Sequence, residues 1–180
     1  MKIEIDTSLA LELIAPKHCQ AVYDLVMLNR NYLSEWHPWV MRMQGVEFIE
    51  NYVKGSAERN KDGKEMAFVI LEENKLVGRI GIYKIDAQNK CAEIGYWIAE
   101  AEQGKGIVTR ACKGLIEYCF TTLNLNRIEI KCGTKNLKSQ KIPMKLKFSV
   151  EGILRQAEMN TIGFIDLKLF SLLKEEWVNE

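Results

Sequence analysis

A strand, a glycine-rich turn and a helix follow one another near the middle of this 180-residue chain, and they constrain its fold most strongly. Residues 93–99 are apolar and rich in Ile, Tyr and Trp, as in a buried strand. After Gln103-Gly104-Lys105-Gly106, apolar residues recur at helical spacing from Ala111 to Phe120. Glycines let backbone N–H groups approach an anion, and a helix N-terminus favours negative charge. The succession therefore predicts a pyrophosphate cradle.

Two well-known nucleotide loops do not fit this turn. A Walker loop requires Gly-Lys-Ser/Thr, whereas Lys105 lies between the two glycines and Ile107 follows them. The dinucleotide fingerprint requires a third glycine where Thr109 stands, and it belongs to a strand near the start of its domain. An ordinary strand-to-helix turn with two glycines remains the alternative to a cradle.

Length and composition predict one domain over residues 1–180. The net charge of +1 gives no strong field for nucleic acid or membrane. Because no apolar run reaches the length of a membrane span and the start lacks a signal-peptide core, we expect a cytoplasmic protein. Five cysteines without a CxxC pair, and only two histidines, predict no metal site.

Periodicity and turn signals predict an α+β domain with the element order β-α-α-β-β-β-α-β-α-β-β. The predicted strands are 9–14, 66–71, 76–85, 93–99, 128–132, 150–157 and 165–173. Predicted helices begin at Pro16, near Val46, at Gly104 and at Asn136, and the first runs on to Pro38. We expect a mixed, mostly antiparallel sheet of about seven strands with helices on both faces, in which strand 128–132 pairs parallel with strand 93–99.

The element order and the glycine turn together resemble the GNAT acetyltransferases over nearly the whole chain. The pattern Gln-x-x-Gly-x-(Gly/Ala), after a strand that ends in Tyr-Trp-Ile, is matched by Gln103 and Gly106. Val108 stands where that family usually has a small residue. The resemblance implies that acetyl-CoA is the co-substrate and that the turn holds its pyrophosphate.

Further motifs are similar to those of the ribosomal-protein serine N-acetyltransferases, which modify the N-terminal amine of a ribosomal stalk protein. These motifs are Ala92-Glu93-Ile94-Gly95-Tyr96-Trp97, Gln103-Gly104-Lys105-Gly106-Ile107, Ile130-Lys131-Cys132, Asn136-x-x-Ser139 and Glu151-Gly152. That subfamily usually has Gly-Phe after the last helix, where this chain has Lys147-Phe148. Since a glycine there serves as a left-handed C-cap, Lys147 should either cost local stability or accompany a different turn.

The resemblance also implies how the chain holds acetyl-CoA. The cradle is expected to comprise Gln103, Gly104, Lys105, Gly106, Ile107, Val108 and Thr109. Lys105 either adds charge there or is an ordinary exposed turn residue. The backbone at Trp97, Ile98 and Ala99 is expected to pair with the pantetheine arm as a strand would. Asn136 is expected to bond to the arm, to cap its helix, or to do both.

Direct attack of an amine on the thioester, which the resemblance implies, requires a base and a proton donor for the leaving thiolate. We expect Glu93 to be the base, with a pKa raised by burial. The alternative is a structural role for Glu93, as partner of Arg79 or Lys131. Ser139 is expected to donate its hydroxyl to the thiolate sulfur, and an ordinary helix-start hydroxyl is the alternative.

The acceptor is expected to be either a protein N-terminus or a small amine such as a polyamine or an antibiotic. Glu65 is a second candidate base at the acceptor site. Trp36 and Trp39 either form a wall of the acceptor pocket or fill a gap between two helices. The competing hypothesis is a CoA-binding sensor module that has lost catalysis. The apolar last strands suit a homodimer edge, although core packing explains them equally well.

Overall fold

In the computed structural model, which describes residues 1–177, eight strands form one sheet. They are β1 (Lys2–Glu4), β2 (Leu9–Leu13), β3 (Met66–Glu72), β4 (Lys75–Asp86), β5 (Cys91–Ile98), β6 (Arg127–Gly133), β7 (Ser149–Asn160) and β8 (Gly163–Leu173). Their order is β1-β2-β3-β4-β5-β6-β8-β7, and every neighbouring pair except the parallel pair β5 and β6 is antiparallel. The predicted α+β fold is confirmed, with one more strand than expected.

The additional strand is β1, which pairs with β2 and places Ile3 opposite Leu11. It is three residues long, and charged Lys2 and Glu4 flank its one apolar residue. So short a segment carries no measurable alternation of apolar and polar residues. Tertiary pairing with β2 therefore creates a strand that the local sequence does not signal.

The helices within residues 1–177 are α1 (Cys19–Leu28), α2 (Arg30–Ser34), α3 (Trp39–Arg42), α4 (Val46–Lys61), α5 (Ile107–Thr121) and α6 (Leu137–Lys145). The expected first helix up to Pro38 is wrong as a single element, because it divides at Asn29. The Asn29 side chain donates to the Leu25 carbonyl at 2.8 Å and accepts from the Glu100 N–H at 2.8 Å. Pro38 does not end a helix but stands at the N-cap of α3. No helix in the described part of the chain is both long and apolar enough to cross a membrane.

Helices cover both faces of the sheet. The buried stripe of α5 packs on one face and consists of Ile107, Val108, Ala111, Cys112, Leu115, Ile116, Cys119 and Phe120. Helices α1 to α4 contribute to a second apolar cluster, which also contains Ala67, Val69 and Trp97 of the sheet. The two clusters together anchor β5, whose successive side chains alternate between them.

Strands β5 and β6 pair only over their first three residues, where Cys91–Glu93 lies beside Arg127–Glu129. Beyond Glu93 the strands separate, while β6 continues to pair with β8 as far as Gly133. Within residues 1–177, one edge of residues 94–98 thus has no strand neighbour. This separation opens the cleft in which the candidate site lies.

The β7–β8 hairpin forms the far edge of the sheet and carries a bulge. Leu154 pairs with Leu167 and Glu158 pairs with Ile165, so residues 155–157 oppose a single residue, Asp166. The Asp166 carboxylate accepts from the N–H of Gln156, whose φ is 49°. A bulge bends its strand and redirects side chains, and it brings Glu158 to the cleft. Homodimer formation through this edge stays a prediction.

Candidate active site

A cleft of about 640 Å³ lies between the separated ends of β5 and β6. The glycine turn before α5 lines it where β5 ends, and α6 lies along its side. Glu93 lines it where the two strands begin to part. Since a strand rises about 3.3 Å per residue, Glu93 lies about 16 Å along β5 from Ile98. The cleft is therefore long enough to have two chemically different ends.

The turn before α5 has the geometry of an anion cradle. Gly104 and Gly106 adopt φ values of 77° and 78°, in the left-handed region that glycine tolerates best. Gly106 is the N-cap of α5 and has no side chain with which to cap it. The first N–H groups of the helix therefore lack side-chain acceptors and are available to an anion. Cleft-lining residues of this region are Gln103, Gly104, Gly106, Val108 and Thr109.

Three residues expected at the cofactor are not among those that line the cleft, although the backbone N–H of one, Ile107, belongs to the first turn of α5. Ala99 donates its backbone N–H to the Val77 carbonyl at 2.8 Å, so this group is not free to pair with a pantetheine arm. The Lys105 ammonium turns away to Glu102, at 2.8 Å. The side chain of Ile107 is buried in the core beneath α5. Of the expected residues on β5, Trp97 and Ile98 line the cleft.

Ser139, Tyr96 and Cys132 meet in the middle of the cleft. Ser139 Oγ lies 3.3 Å from both Tyr96 Oη and Cys132 Sγ. The Asn136 side chain accepts from the Ser139 N–H at 3.1 Å and caps α6. The capping role expected of Asn136 is thus present. The sequence did not indicate Tyr96 as a partner of Ser139, because the two residues are 43 positions apart and only the fold brings them together.

Burial keeps this group of side chains protonated. Desolvation raises the pKa of the Tyr96 hydroxyl well above its usual value. It also raises the pKa of the Cys132 thiol, although hydrogen bonds from Ser139 and Tyr96 oppose the shift. A thiol of raised pKa is a poor nucleophile. The arrangement therefore suits proton donation better than covalent catalysis by Cys132.

Glu93 lines the cleft, but its environment differs from the prediction. Burial raises the pKa of this carboxyl, but hydrogen bonds from Lys131 and Lys84, each at 2.9 Å, lower it by more. The pKa therefore lies below its usual value. The expected rise in the pKa is wrong, because two ammonium groups stabilise the charged form. The ion pair with Lys131, which was the alternative, is present.

Glu158 is the cleft carboxylate that the sequence did not indicate. The β7 bulge places it at the cleft. Partial desolvation and, secondarily, the negative charge of Glu93 raise its pKa. No hydrogen bond to its carboxylate forms within residues 1–177. A carboxylate of raised pKa with free acceptor sites is suited to take a proton near neutral pH.

Of the two tryptophans expected at the acceptor, Trp36 lines the cleft and Trp39 does not. The Trp36 ring lies so close to Gly133 that a Cβ added there would be 3.1 Å from it. Trp39 instead stacks on Phe48 at 6.4 Å between ring centroids, so it joins two helices. His37 also lines the cleft, and burial together with the nearby Arg79 charge lowers its pKa to about 4. Its imidazole is therefore neutral at pH 7.

Glu65 is wrong as an acceptor residue, because it lies outside the cleft and its carboxylate is occupied. It accepts from the Tyr52 hydroxyl at 2.9 Å and from the Ser56 hydroxyl at 2.8 Å. It also forms an ion pair with Arg59. A buried carboxylate with these partners connects α4 to the start of β3 and is structural.

Comparisons with known proteins agree with this geometry. Residues 8–149 match the acetyltransferase (GNAT) domain. The chain is 32% identical over 169 residues to the ribosomal-protein-serine acetyltransferase of Escherichia coli (strain K12), with 94% of each chain covered. It is 36% identical over 118 residues to the spermidine N(1)-acetyltransferase of the same strain, which covers 64% of this chain and 63% of that one.

A solved structure is similar over nearly its whole length. It is a ribosomal L7/L12 alpha-N-protein acetyltransferase in complex with coenzyme A, which is joined by a disulfide to a cysteine of that protein. The TM-score is 0.94 at 25% identity, with 98% of this chain and 100% of that chain covered. The extent of the domain match, the whole-length relative and the fold all agree, and this chain belongs to the GNAT family of N-acetyltransferases.

Proposed function

We propose that this enzyme transfers the acetyl group of acetyl-CoA to the N-terminal amine of a protein, with a ribosomal protein as the acceptor. One observation carries the proposal. A single cleft joins the glycine turn, the hydroxyl of Ser139 and the carboxylate of Glu158. These three features suit, in turn, a pyrophosphate, a leaving thiolate and an amine that must lose a proton.

The residues of the cleft fit the cofactor from its phosphates to its sulfur. Acetyl-CoA supplies an activated acetyl thioester. The first N–H groups of α5, at Ile107, Val108 and Thr109, would bind the pyrophosphate. Backbone groups of Trp97 and Ile98 would bind the pantetheine arm, because β6 does not pair with this part of β5. This leaves the sulfur near Ser139.

Glu158 would remove the proton of the attacking amine. Glu158 would take one proton from the substrate ammonium, and the freed amine would attack the acetyl carbon. As the carbon–sulfur bond breaks, the nitrogen would lose its second proton, and the thiolate would take up a proton to leave as the thiol. The Ser139 hydroxyl donates to the departing thiolate. Glu93 is held in the charged form by Lys84 and Lys131, so it is less suited than Glu158 to take this proton. Direct transfer of this kind requires no acylated cysteine, in keeping with the raised pKa of Cys132.

A protein N-terminus is favoured over a polyamine by the extent of similarity. The ribosomal-protein-serine acetyltransferase matches this chain at 32% identity over 94% of each sequence, whereas the spermidine acetyltransferases match it at 36% over 64% of this chain or at 27% over 84% of it. Other residues that line the cleft include Trp36 and His37, which present aromatic surface and a neutral imidazole rather than further carboxylates. A polyamine carries several positive charges and would bind more tightly to a site with several acidic groups.

Release of the CoA thiol, followed with a thiol reagent, tests this function. The acceptors to compare are a peptide with a free N-terminal serine, the same peptide with its N-terminus blocked, and spermidine. We expect turnover with the free peptide and almost none with the other two. Turnover with spermidine alone would establish the small-amine alternative. Binding of acetyl-CoA without turnover on any of the three would favour the non-catalytic sensor.

A further inference from the structure

Three lysines of α6 line the cleft: Lys138, Lys141 and Lys145. Their spacing of three and four residues places them on one face of the helix. Of the carboxylates that line the cleft, Glu93 lies where β5 and β6 begin to part, and Glu158 lies near enough for the Glu93 charge to raise its pKa. The lysines of α6 thus form a basic side of the cleft.

Helix α6 begins beside both the reaction centre and the glycine turn. Near its start, Ser139 contacts Tyr96 and Cys132, whereas Lys138 Nζ donates to Gln103 Oε1 of the turn at 3.0 Å. At a rise of 1.5 Å per residue, Lys145 lies about 9 Å along the axis from Ser139. All phosphate groups of coenzyme A are at the end remote from its sulfur. Lys141 and Lys145 line the same cleft as the glycine turn, which is where the proposed function puts the pyrophosphate.

Lys141 and Lys145 are the lysines of this face that are available for an anion. Both are exposed, and within the described residues no carboxylate forms an ion pair with either. Lys138 is bonded to Gln103, and Lys105 of the glycine turn is paired with Glu102. The N–H groups of α5 already provide for the pyrophosphate. The remaining phosphate of coenzyme A is the one on its ribose.

We propose that Lys141 and Lys145 bind the 3′-phosphate of the coenzyme A ribose, so that the enzyme selects the 3′-phosphorylated cofactor. The assignment rests on the proposed use of acetyl-CoA. Lysine ammonium groups bind phosphate as point charges and tolerate its rotation. The exposed lysines of α6 thereby acquire a binding role.

Calorimetric titration with coenzyme A and with 3′-dephospho-coenzyme A tests the proposal. For the native enzyme we expect the 3′-phosphate to strengthen binding roughly tenfold or more, as two charged hydrogen bonds would. In the double variant Lys141→Ala, Lys145→Ala the affinity for coenzyme A should fall to that for the dephospho form, which should itself be unchanged. Lys135→Ala is the matched control, because Lys135 is an exposed lysine of the preceding turn that does not line the cleft.

Each other result has a distinct meaning. Equal affinity of the native enzyme for the two ligands overturns the assignment while the proposed function stands. An equal loss of affinity for both ligands in the double variant also overturns the assignment, because the lysines would then bind the pyrophosphate. If neither ligand binds to the native enzyme, the proposed use of acetyl-CoA fails, and the assignment that rests on it fails as well.

Discussion

The Tyr96 hydroxyl donates to the backbone carbonyl of Ser139 at 3.0 Å. In a regular helix this carbonyl would accept from the N–H of residue 143, four positions on. Residue 143 is a proline inside α6 and has no N–H. Pro143 thus leaves the carbonyl free for the Tyr96 hydroxyl, which joins α6 to β5 at the reaction centre and positions Ser139.

Replacing Pro143 by alanine should disturb this arrangement, because the new N–H competes with Tyr96 for the carbonyl. We expect kcat to fall several-fold with little change in the KM for acetyl-CoA. A double-mutant cycle with Tyr96→Phe should show a coupling energy of about 0.5–2 kcal/mol in the activation free energy. An equal effect of Pro143→Ala in both backgrounds would show that the proline does not act through Tyr96.

Glu158→Gln should remove the base and lower kcat/KM by about 10²–10⁴-fold. Since the pKa of Glu158 is raised, the native kcat/KM should increase with pH through a midpoint above the usual glutamate range. The variant should lack this rise. Glu175→Gln, at an exposed carboxylate remote from the cleft, is the control. A pH profile that is the same in Glu158→Gln and native enzyme would exclude Glu158 as the base.

Glu93→Gln should affect stability more than chemistry. The folded-state pKa of Glu93 is lowered, so its ion pairs stabilise the fold above the unfolded-state pKa, and this stability is lost as pH falls through the folded value. Urea unfolding at pH 7 should show a loss of about 1–3 kcal/mol, which disappears in acid. A loss of kcat/KM as large as that of Glu158→Gln would instead restore Glu93 as the base.

Lys147 keeps the turn that a glycine would usually form. Its φ is 61°, its N–H donates to Met144, and the Phe148 N–H donates to Pro143, which is the Schellman arrangement. Lys147→Gly should therefore be more stable than Lys147→Ala by about 1 kcal/mol, because only the latter keeps a Cβ in left-handed backbone. Both variants lose the lysine side chain, so thermal unfolding of the two isolates the backbone effect. Equal stability would contradict it.

Local sequence predicted the elements that carry a clear period. The buried stripe of α5 follows from the helical spacing of its apolar residues, and β5 follows from its apolar run of strand-forming residues. The division of the first helix at Asn29 was not predictable in the same way, since Asn29 bonds to Glu100, 71 residues away. The parting of β5 and β6 after Glu93 leaves no signal in the spacing of side chains.

The candidate site was predicted where a motif is contiguous and missed where the fold assembles it. The glycine turn and Asn136-x-x-Ser139 are short local patterns. Glu158 reaches the cleft through a three-residue bulge, and Glu65 is removed from it by partners on α4. Neither the bulge nor those partners leave a periodic signal in the sequence. Residue type suggested carboxylate chemistry but could not decide which carboxylate performs it.

Mass spectrometric mapping of the acetylated position tests the central claim most directly. The substrate is a peptide with a free N-terminal serine and one internal lysine, incubated with acetyl-CoA and native enzyme or Ser139→Ala. We predict that the native enzyme adds one acetyl group, on the N-terminal nitrogen, and that Ser139→Ala does so about 10²-fold more slowly. Acetylation of the lysine alone, or equal rates for the two enzymes, would contradict the proposed transfer.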